Sequence, residues 1–383
     1  MTNRFPSLRA ALVCLAVPAL LSACEKDMPP PAPVTPTVIP PIVPPVVPPI
    51  VNPADTVPRP DTVNLYVVCQ GNFGRANAGV THYNRQTGAV VRDRFAAANP
   101  GVALGDVAQS MTIVGDTAYI VVNNSNRITV VRRSDFRQIE EITGLEQPRY
   151  LAVFGGKGYV TEWGSTFGAP GRVSELDLMT SRPTGRTFVT GIQPEEIIAT
   201  PTGLLVANSG SSFLTVILPA TASTTIVPTS DGPTALRLDR GGRVWVLCAG
   251  RIAYTPTYDI DTAASTAGAL VSLPLTNLAA GTTRQFTRKG TVPTGLALGA
   301  DSTKLYYSYH GNTFEISTTA TTLPRTAFIP RAFDAFGVDP QDGTLYGADQ
   351  RGFTADGEVR RYRPTGAFIN SFPTAIGPTQ FVF

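Results

Sequence analysis

A short pattern recurs along this chain at nearly constant spacing. It consists of a turn followed by an apolar strand, and in most copies a proline stands at the start of the strand. Residues 148–153 (PRYLAV) and 293–298 (PTGLAL) are two copies. The copies start at positions 108, 148, 194, 233, 293, 333 and 378, which gives intervals of 40, 46, 39, 60, 40 and 45 residues. A unit of about 40–45 residues built from short strands is the period of a β-propeller blade.

A second strand rich in Tyr and Val follows each copy after a tight turn that contains Gly or Asp. Seven such strands align, at residues 65–69, 118–122, 158–162, 204–208, 243–247, 305–308 and 345–348. β-Branched and aromatic residues between Gly and Asp turns favour strands over helices. The sequence therefore predicts an all-β fold, a seven-bladed β-propeller of four-stranded blades over residues 62–383.

The two ends of the repeat region predict how the ring closes. The first repeat, from Asn64, has its second strand but lacks a first strand, whereas residues 378–383 (PTQFVF) form a first strand with no second. We expect this C-terminal strand to complete the N-terminal blade, which leaves only short sheet edges exposed.

The first 23 residues have the features of a secretion signal. Arg4 and Arg9 precede an apolar run of about 12 residues, shorter than the roughly 20 that span a bilayer. The run ends in the tetrad 21–24 (LSAC), which resembles the lipobox of bacterial lipoproteins. We expect cleavage before Cys24, lipidation of that cysteine, and no other membrane anchor; an ordinary signal peptide with a chance cysteine is the alternative.

A proline-rich tether is predicted for residues 24–61. Residues 29–60 hold 14 of the 34 prolines, a composition that favours polyproline II and acts as a semi-rigid spacer. Without residues 1–23, Lys+Arg falls from 31 to 29 against 28 Asp+Glu, a net charge of +1. This balance implies no basic face, so we expect no nucleic acid partner.

Two cysteines remain in the predicted propeller. Cys69 and Cys248 sit near the ends of similar apolar strands in different repeats. Equivalent positions of separate blades seldom come close, so we predict buried free thiols rather than a disulfide.

One face of the predicted ring carries long loops. Connections between second and third strands run over residues 72–79, 163–171, 250–268 and 350–357, while the turns between first and second strands are tight. Amide, aromatic and charged groups on this face predict a site for a polar ligand with apolar area. The predicted ligand-binding residues are Asn72, Phe73, Gln109, Asn123, Asn124, Arg149, Tyr150, Trp163, Glu195, Asn208, Tyr309, His310 and Arg351. Alternatively, the Asn residues end strands because they tolerate left-handed turns.

Several segments resemble the YncE-like propeller lipoproteins of Bacteroidota. They are residues 71–74 (GNFG), 104–111 (LGDVAQSM), 119–125 (YIVVNNS), 142–145 (ITGL) and 148–150 (PRY). The resemblance covers roughly residues 62–383 and implies a seven-bladed propeller. A subset of that family, the BtuG-like lipoproteins, captures corrinoids and passes them to a TonB-dependent transporter, so the resemblance implies that ligand and that partner. Residues 25–27 (EKD) resemble the signal that directs such lipoproteins to the outer surface of the outer membrane.

Evidence for catalysis in the sequence is slight. The chain has two histidines, His82 and His310, and none of the common zinc or nucleophile motifs. Asp259 and Asp261 lie in a long insertion and are expected to be solvated, and no metal or cofactor is predicted. Paired acids at Glu162 and Glu195 would suit a glycosidase, but charge balance against Arg149 is the simpler interpretation. Three classes stay open: a ligand-capture module, a hydrolase or lyase acting on lactones or glycans, and a structural or protein-binding propeller.

Overall fold

The repeats fold into seven antiparallel sheets, and the computed structural model describes residues 63–383 of them. The strands are β1 (Asn64–Cys69), β2 (Gly79–Asn84), β3 (Val90–Val91), β4 (Ala108–Val114), β5 (Thr117–Val122), β6 (Arg127–Arg132), β7 (Gln138–Ile142), β8 (Pro148–Phe154), β9 (Lys157–Glu162), β10 (Pro170–Asp177), β11 (Arg182–Ile192), β12 (Pro194–Ala199), β13 (Leu204–Asn208), β14 (Phe213–Leu218), β15 (Ser223–Pro228), β16 (Pro233–Leu238), β17 (Arg243–Cys248), β18 (Ala267–Pro274), β19 (Thr282–Lys289), β20 (Thr294–Leu298), β21 (Lys304–Tyr309), β22 (Asn312–Ser317), β23 (Ala335–Val338), β24 (Leu345–Asp349), β25 (Glu358–Tyr362), β26 (Phe368–Pro373) and β27 (Pro378–Val382). One short helix, α1 (Arg94–Ala98), follows β3.

Each sheet is one blade of the propeller. Blade 1 has the order β27-β1-β2-β3, and blades 2 to 5 contain β4–β7, β8–β11, β12–β15 and β16–β19. Blade 6 contains β20–β22 and blade 7 contains β23–β26. We call the strands of a blade A to D from the axis outward. The seven-bladed propeller predicted from the repeats is thus confirmed.

The ring closes between the two ends of the described chain. In blade 1, β27 pairs with β1 in antiparallel register, with Val382 opposite Tyr66 and Phe381 opposite Val67. The rings of Phe383 and Tyr346 lie 5.7 Å apart, so the last residue also packs against blade 7. The prediction of closure by the C-terminal strand is confirmed.

Blade 6 differs from the four-stranded prediction. Its sheet ends at β22, and the next regular strand is β23 of blade 7. The segment 318–334 occupies the outer position without forming a strand, apart from a single bridge between Thr313 and Ile329. Pro324 and Pro330 in that segment remove backbone donors, which is the physical reason that no fourth strand forms there.

Apolar side chains fill the space between neighbouring blades in seven clusters, one for each interface of the ring. Cys69 lies in the cluster between blades 7 and 1, and Cys248 in the cluster between blades 4 and 5. Both are buried free thiols, as predicted. Burial raises the pKa of Cys69 and that of Cys248 to about 12.

A repeated backbone clamp shapes the loop-rich face. In five blades the residue before strand A has positive φ, and its carbonyl accepts the N–H of the first residue after strand B. The five clamps are Val107–Asn123 at 2.8 Å, Gln147–Trp163 at 3.2 Å, Gln193–Ser209 at 2.9 Å, Gly232–Ala249 at 2.6 Å and Gly377–Gln70 at 2.9 Å. The first three positive-φ residues are not glycine, so blades 2, 3 and 4 hold strained backbone at the same place.

The predicted signal 1–23, Cys24, the tether 24–61 and residue 62 lie outside the described residues. Between residues 63 and 383, no helix has the length and apolarity that crossing a membrane requires.

Candidate functional site

A cavity of about 550 Å³ lies on the axis of the ring. Because strand A is innermost in every blade, all seven blades contribute to its wall. Lining residues include Thr112, Tyr150, Glu196, Thr234, Thr294, Ala335 and Gln380. The cavity is large enough for a small-molecule ligand.

Side chains from neighbouring blades accept hydrogen bonds from backbone N–H groups of two A strands. Gln380 accepts the N–H of Met111 through Oε1 at 2.6 Å. Glu196 accepts the N–H of Leu236 at 2.7 Å and binds the Arg237 guanidinium at 2.6 Å. The Gln380 and Glu196 side chains are therefore paired before any ligand arrives, in a wall that also carries apolar residues.

A chain of hydrogen bonds crosses the mouth of the cavity. Gln70 Nε2 donates to Gln109 Oε1 at 3.1 Å, and Gln109 Nε2 donates to the Tyr150 hydroxyl at 2.9 Å. Burial, with the carboxylates of Glu195 and Glu196 nearby, raises the pKa of Tyr150. The hydroxyl consequently stays protonated at neutral pH and keeps its own proton for donation to a ligand.

Arg149 is held between an acid and an indole. Its guanidinium makes a bidentate pair with Glu195, with N–O distances of 3.0 to 3.1 Å. Its central carbon lies 4.3 Å from the centroid of the Trp163 ring. Burial raises the pKa of Glu195, and Arg149 opposes that shift. The three side chains form a fixed, nearly neutral platform on blades 3 and 4.

Trp163 is the aromatic member of this platform. Its indole Nε1 is buried and faces the Glu195 carboxyl, whose pKa the indole N–H lowers. The residue also lines a side cavity of about 110 Å³ with Gln147, Gln193 and Phe167. Phe167 is 92% exposed at the loop tip.

Glu162 has a different partner from the one predicted. The carboxylate is fully buried, binds the Arg172 guanidinium at 3.1 Å and accepts the Ser174 hydroxyl. Arg172 lies directly opposite Glu162 in the β9–β10 pair, so the cross-strand neighbour takes the charge. The predicted balance against Arg149 is confirmed for Glu195 and wrong for Glu162, and both carboxylates are engaged in ion pairs.

Two predicted ligand residues lie away from the mouth. Asn208 is fully buried, accepts the N–H of Gly191 in blade 3 and donates to the Phe213 carbonyl in blade 4, so it joins these two blades. Tyr309 stacks on Phe286 with ring centroids 4.4 Å apart and packs between blades 5 and 6. Both side chains end strand B and point away from the axis, so the prediction that they bind a ligand at the mouth of the axial cavity is corrected.

The remaining predicted residues lie on the loops of the same face. Asn72 donates to the Phe353 carbonyl at 2.7 Å, Asn123 to the Pro148 carbonyl at 3.1 Å, and Asn124 to the Asp106 carboxylate. These three amides join loops and strands. Phe73, His310 and Arg351 are exposed around them, and Arg351 lies 3.5 Å from Glu358.

The two acids of the long insertion bond within their own loop. Asp259 accepts the Thr257 hydroxyl at 2.9 Å, and Asp261 accepts the N–H of Ala263 at 3.0 Å. Over residues 63–383, no three His, Cys, Asp or Glu side chains gather closely enough to hold a metal ion.

Some residues of the cavity wall were not predicted from the sequence. Tyr150, Glu196 and Gln380 are each the third residue of an A strand. Tyr150 was among the predicted residues, whereas Glu196 and Gln380 were not. The fixed distance from the first residue of strand A is a signal that identifies all three.

Solved structures with similar folds are propellers. A quinoprotein alcohol dehydrogenase-like protein from Bacteroides thetaiotaomicron is 12% identical, with 84% of this chain and 78% of that chain covered and a TM-score of 0.62. A candidate 6-phosphogluconolactonase from Bacteroides uniformis is 13% identical, with coverages of 84% and 99% and a TM-score of 0.58. At such identities the likeness shows the fold alone.

Sequence comparison places the chain in a family. Among curated proteins, none matches this sequence. A family model described as "Domain of unknown function (DUF5074)" matches residues 64–264, which is more than half of the chain. The matched region runs from β1 through β17 and most of the insertion in blade 5, and the chain therefore belongs to the DUF5074 family.

Proposed function

We propose that this protein is a ligand-capture module that binds a small molecule at the loop-rich mouth of the axial cavity. The observation that carries the proposal is the preformed platform of Arg149, Trp163 and Glu195 beside the Gln109–Tyr150 hydrogen-bond chain. Preformed polar groups around an apolar ring are what a polar ligand with apolar area requires.

The proposed ligand class is a corrinoid, and the proposed partner is a TonB-dependent transporter that receives it. The resemblance to BtuG-like lipoproteins supports this finer assignment. Such a ligand would rest on the face, with the exposed loop tips at Phe73 and Phe167 as further contacts.

The proposed location is the outer membrane, through a lipid on Cys24. The position at which the chain enters the propeller supports an orientation of the propeller relative to the membrane. Asn64 begins β1, a B strand, and B strands start at the face of the tight A–B turns. A tether that arrives there would leave the loop-rich mouth pointing away from the membrane.

A carboxylate-based hydrolase is less well supported, because Glu162 and Glu195 are both held in ion pairs. Native mass spectrometry of the protein isolated from its own cell envelope tests the capture function. We expect a stoichiometric small molecule that is released by Trp163→Ala and retained by Arg240→Ala on the opposite face. Protein that carries no small molecule, or that loses it equally in both variants, would contradict the proposal.

A further inference from the structure

The missing fourth strand of blade 6 opens a second cavity at the outer rim of the ring. It lies between β19 of blade 5 and the segment 318–334, and its volume is about 520 Å³. This volume is within the range of small-molecule sites. No lining residue is shared with the axial cavity, so the two sites are separate.

Aromatic rings form one side of this rim cavity. Phe286 stacks on Tyr309 at 4.4 Å between centroids, and its edge meets Tyr307 at 5.4 Å. Tyr307 in turn stacks on Phe314 at 5.6 Å. Leu323 packs against the same cluster. The rings of Phe286, Tyr307 and Tyr309 are almost fully buried and hold fixed positions, so they form a rigid apolar wall against which an apolar ligand body can pack.

The charged residues that line the rim cavity are both cationic. They are Arg284 and Arg325, and no Asp or Glu is among the lining residues. Arg325 is exposed at the edge and forms no ion pair within the described part of the chain.

Arg284 is the unusual member of this pair. It is 6% exposed, and no carboxylate of the described residues lies within ion-pair distance. Its guanidinium donates to the Ala320 carbonyl at 2.6 and 3.0 Å and lies 5.0 Å from the Trp245 ring centroid. Burial and the charge of Arg243 lower the pKa of Arg284. A buried cation without an anion is costly, and a bound anion would relieve that cost.

We propose that the rim cavity binds a small apolar carboxylate. Its aromatic or aliphatic body lies against Phe286 and Tyr309, and its carboxylate meets the guanidinium of Arg325 above the buried charge of Arg284. An arginine suits this role because its planar fork matches a carboxylate. The site goes beyond the proposed capture function and does not depend on it.

Two isosteric probes test the charge requirement by calorimetry on the full mature chain. We expect 2-naphthoate to bind with one site per chain and 2-naphthamide to bind at least about tenfold more weakly. Arg325→Gln should remove most of this difference by weakening the carboxylate alone. Arg137→Gln, an exposed arginine of blade 2, is the matched control and should change neither affinity.

A second variant locates the binding. Leu323→Glu places a like charge and bulk in the cavity, and it should abolish naphthoate binding while the circular dichroism spectrum stays that of the folded propeller, because Leu323 lies in an irregular segment outside the regular strands. Absence of naphthoate binding, equal affinity for the two probes, or binding that survives Leu323→Glu would each overturn the proposal.

Discussion

The central guanidinium carbon of Arg149 lies 4.3 Å from the centroid of the Trp163 ring. One residue comes from strand A of blade 3 and the other from the end of strand B in the same blade. Glu195 of blade 4 neutralises the guanidinium from its far side. This stacking holds the indole in a fixed position on the loop-rich face.

The Arg149–Glu195 pair should behave as a coupled unit in stability measurements. Arg149→Ala leaves the Glu195 carboxylate buried without its partner, and we expect a loss of about 3 kcal/mol in the free energy of unfolding. The double variant Arg149→Ala/Glu195→Gln should lose less than Arg149→Ala alone. Urea denaturation measures both. Equal or greater loss in the double variant would show that the unpaired buried charge does not cause the loss of stability in Arg149→Ala.

Ring closure should dominate the stability of the propeller. Removing residues 378–383 deletes β27, exposes an edge of β1 and takes Phe381 and Phe383 from the interface with blade 7. Each lost aromatic side chain costs about 3 kcal/mol or more. Thermal melting followed by circular dichroism should show a large drop, whereas Phe368→Ala, which alters an exposed aromatic residue, should have little effect. A truncated protein that melts within a degree or two of the intact one would refute closure.

The two thiols of the propeller should be inert in the native protein. With the pKa of Cys69 and that of Cys248 raised to about 12, the thiolate fraction at pH 8 is on the order of one in ten thousand. Both folded pKa values lie above the unfolded value of about 9, so deprotonation favours unfolding between about pH 9 and 12. Iodoacetamide labelling read by peptide mass spectrometry should modify both cysteines only after denaturation. Labelling of either at pH 8 in the folded state would contradict the burial.

Membrane attachment should depend on one sulfur atom. Because the tetrad 21–24 resembles a lipobox, Cys24→Ser should release the protein from the membrane fraction. Cys69→Ser, which removes a buried thiol, is the control and should leave fractionation unchanged. A Cys24→Ser protein that still sediments with the outer membrane would show that the anchor is wrongly assigned.

The repeat pattern sufficed to predict the strands nearest the axis and the closure of the ring. Strand starts, tight turns and the incomplete blades at the two ends are each determined by the residues at those positions, so the sequence shows them. It did not predict the three-stranded blade 6, whose irregular segment depends on Pro324 and Pro330 within a Thr-rich stretch that otherwise favours strand. Nor did it predict the Glu162–Arg172 pair, which is set by the cross-strand register of β9 and β10. Turn geometry helps to set a register, and the long loop between β9 and β10 leaves that register open in the sequence.

The directions in which side chains point at the ends of strands could not be predicted from the sequence either. Asn208 and Tyr309 both close a B strand, yet both point away from the axis, whereas Trp163, one residue past its strand, lies at the mouth. A shift of one position along a strand reverses the direction of a side chain. The site was therefore predictable as a face but only partly as a set of residues.

Calorimetric titration with cyanocobalamin and cobinamide tests the proposed capture of a small molecule at the mouth of the axial cavity, with Trp163 as its anchor. We predict saturable binding with one site per chain, weakened about 30-fold by Trp163→Ala, which corresponds to about 2 kcal/mol, and unchanged by Arg240→Ala. No binding of either corrinoid would contradict the proposed ligand, and full affinity retained in Trp163→Ala/Arg149→Ala would contradict the proposed site.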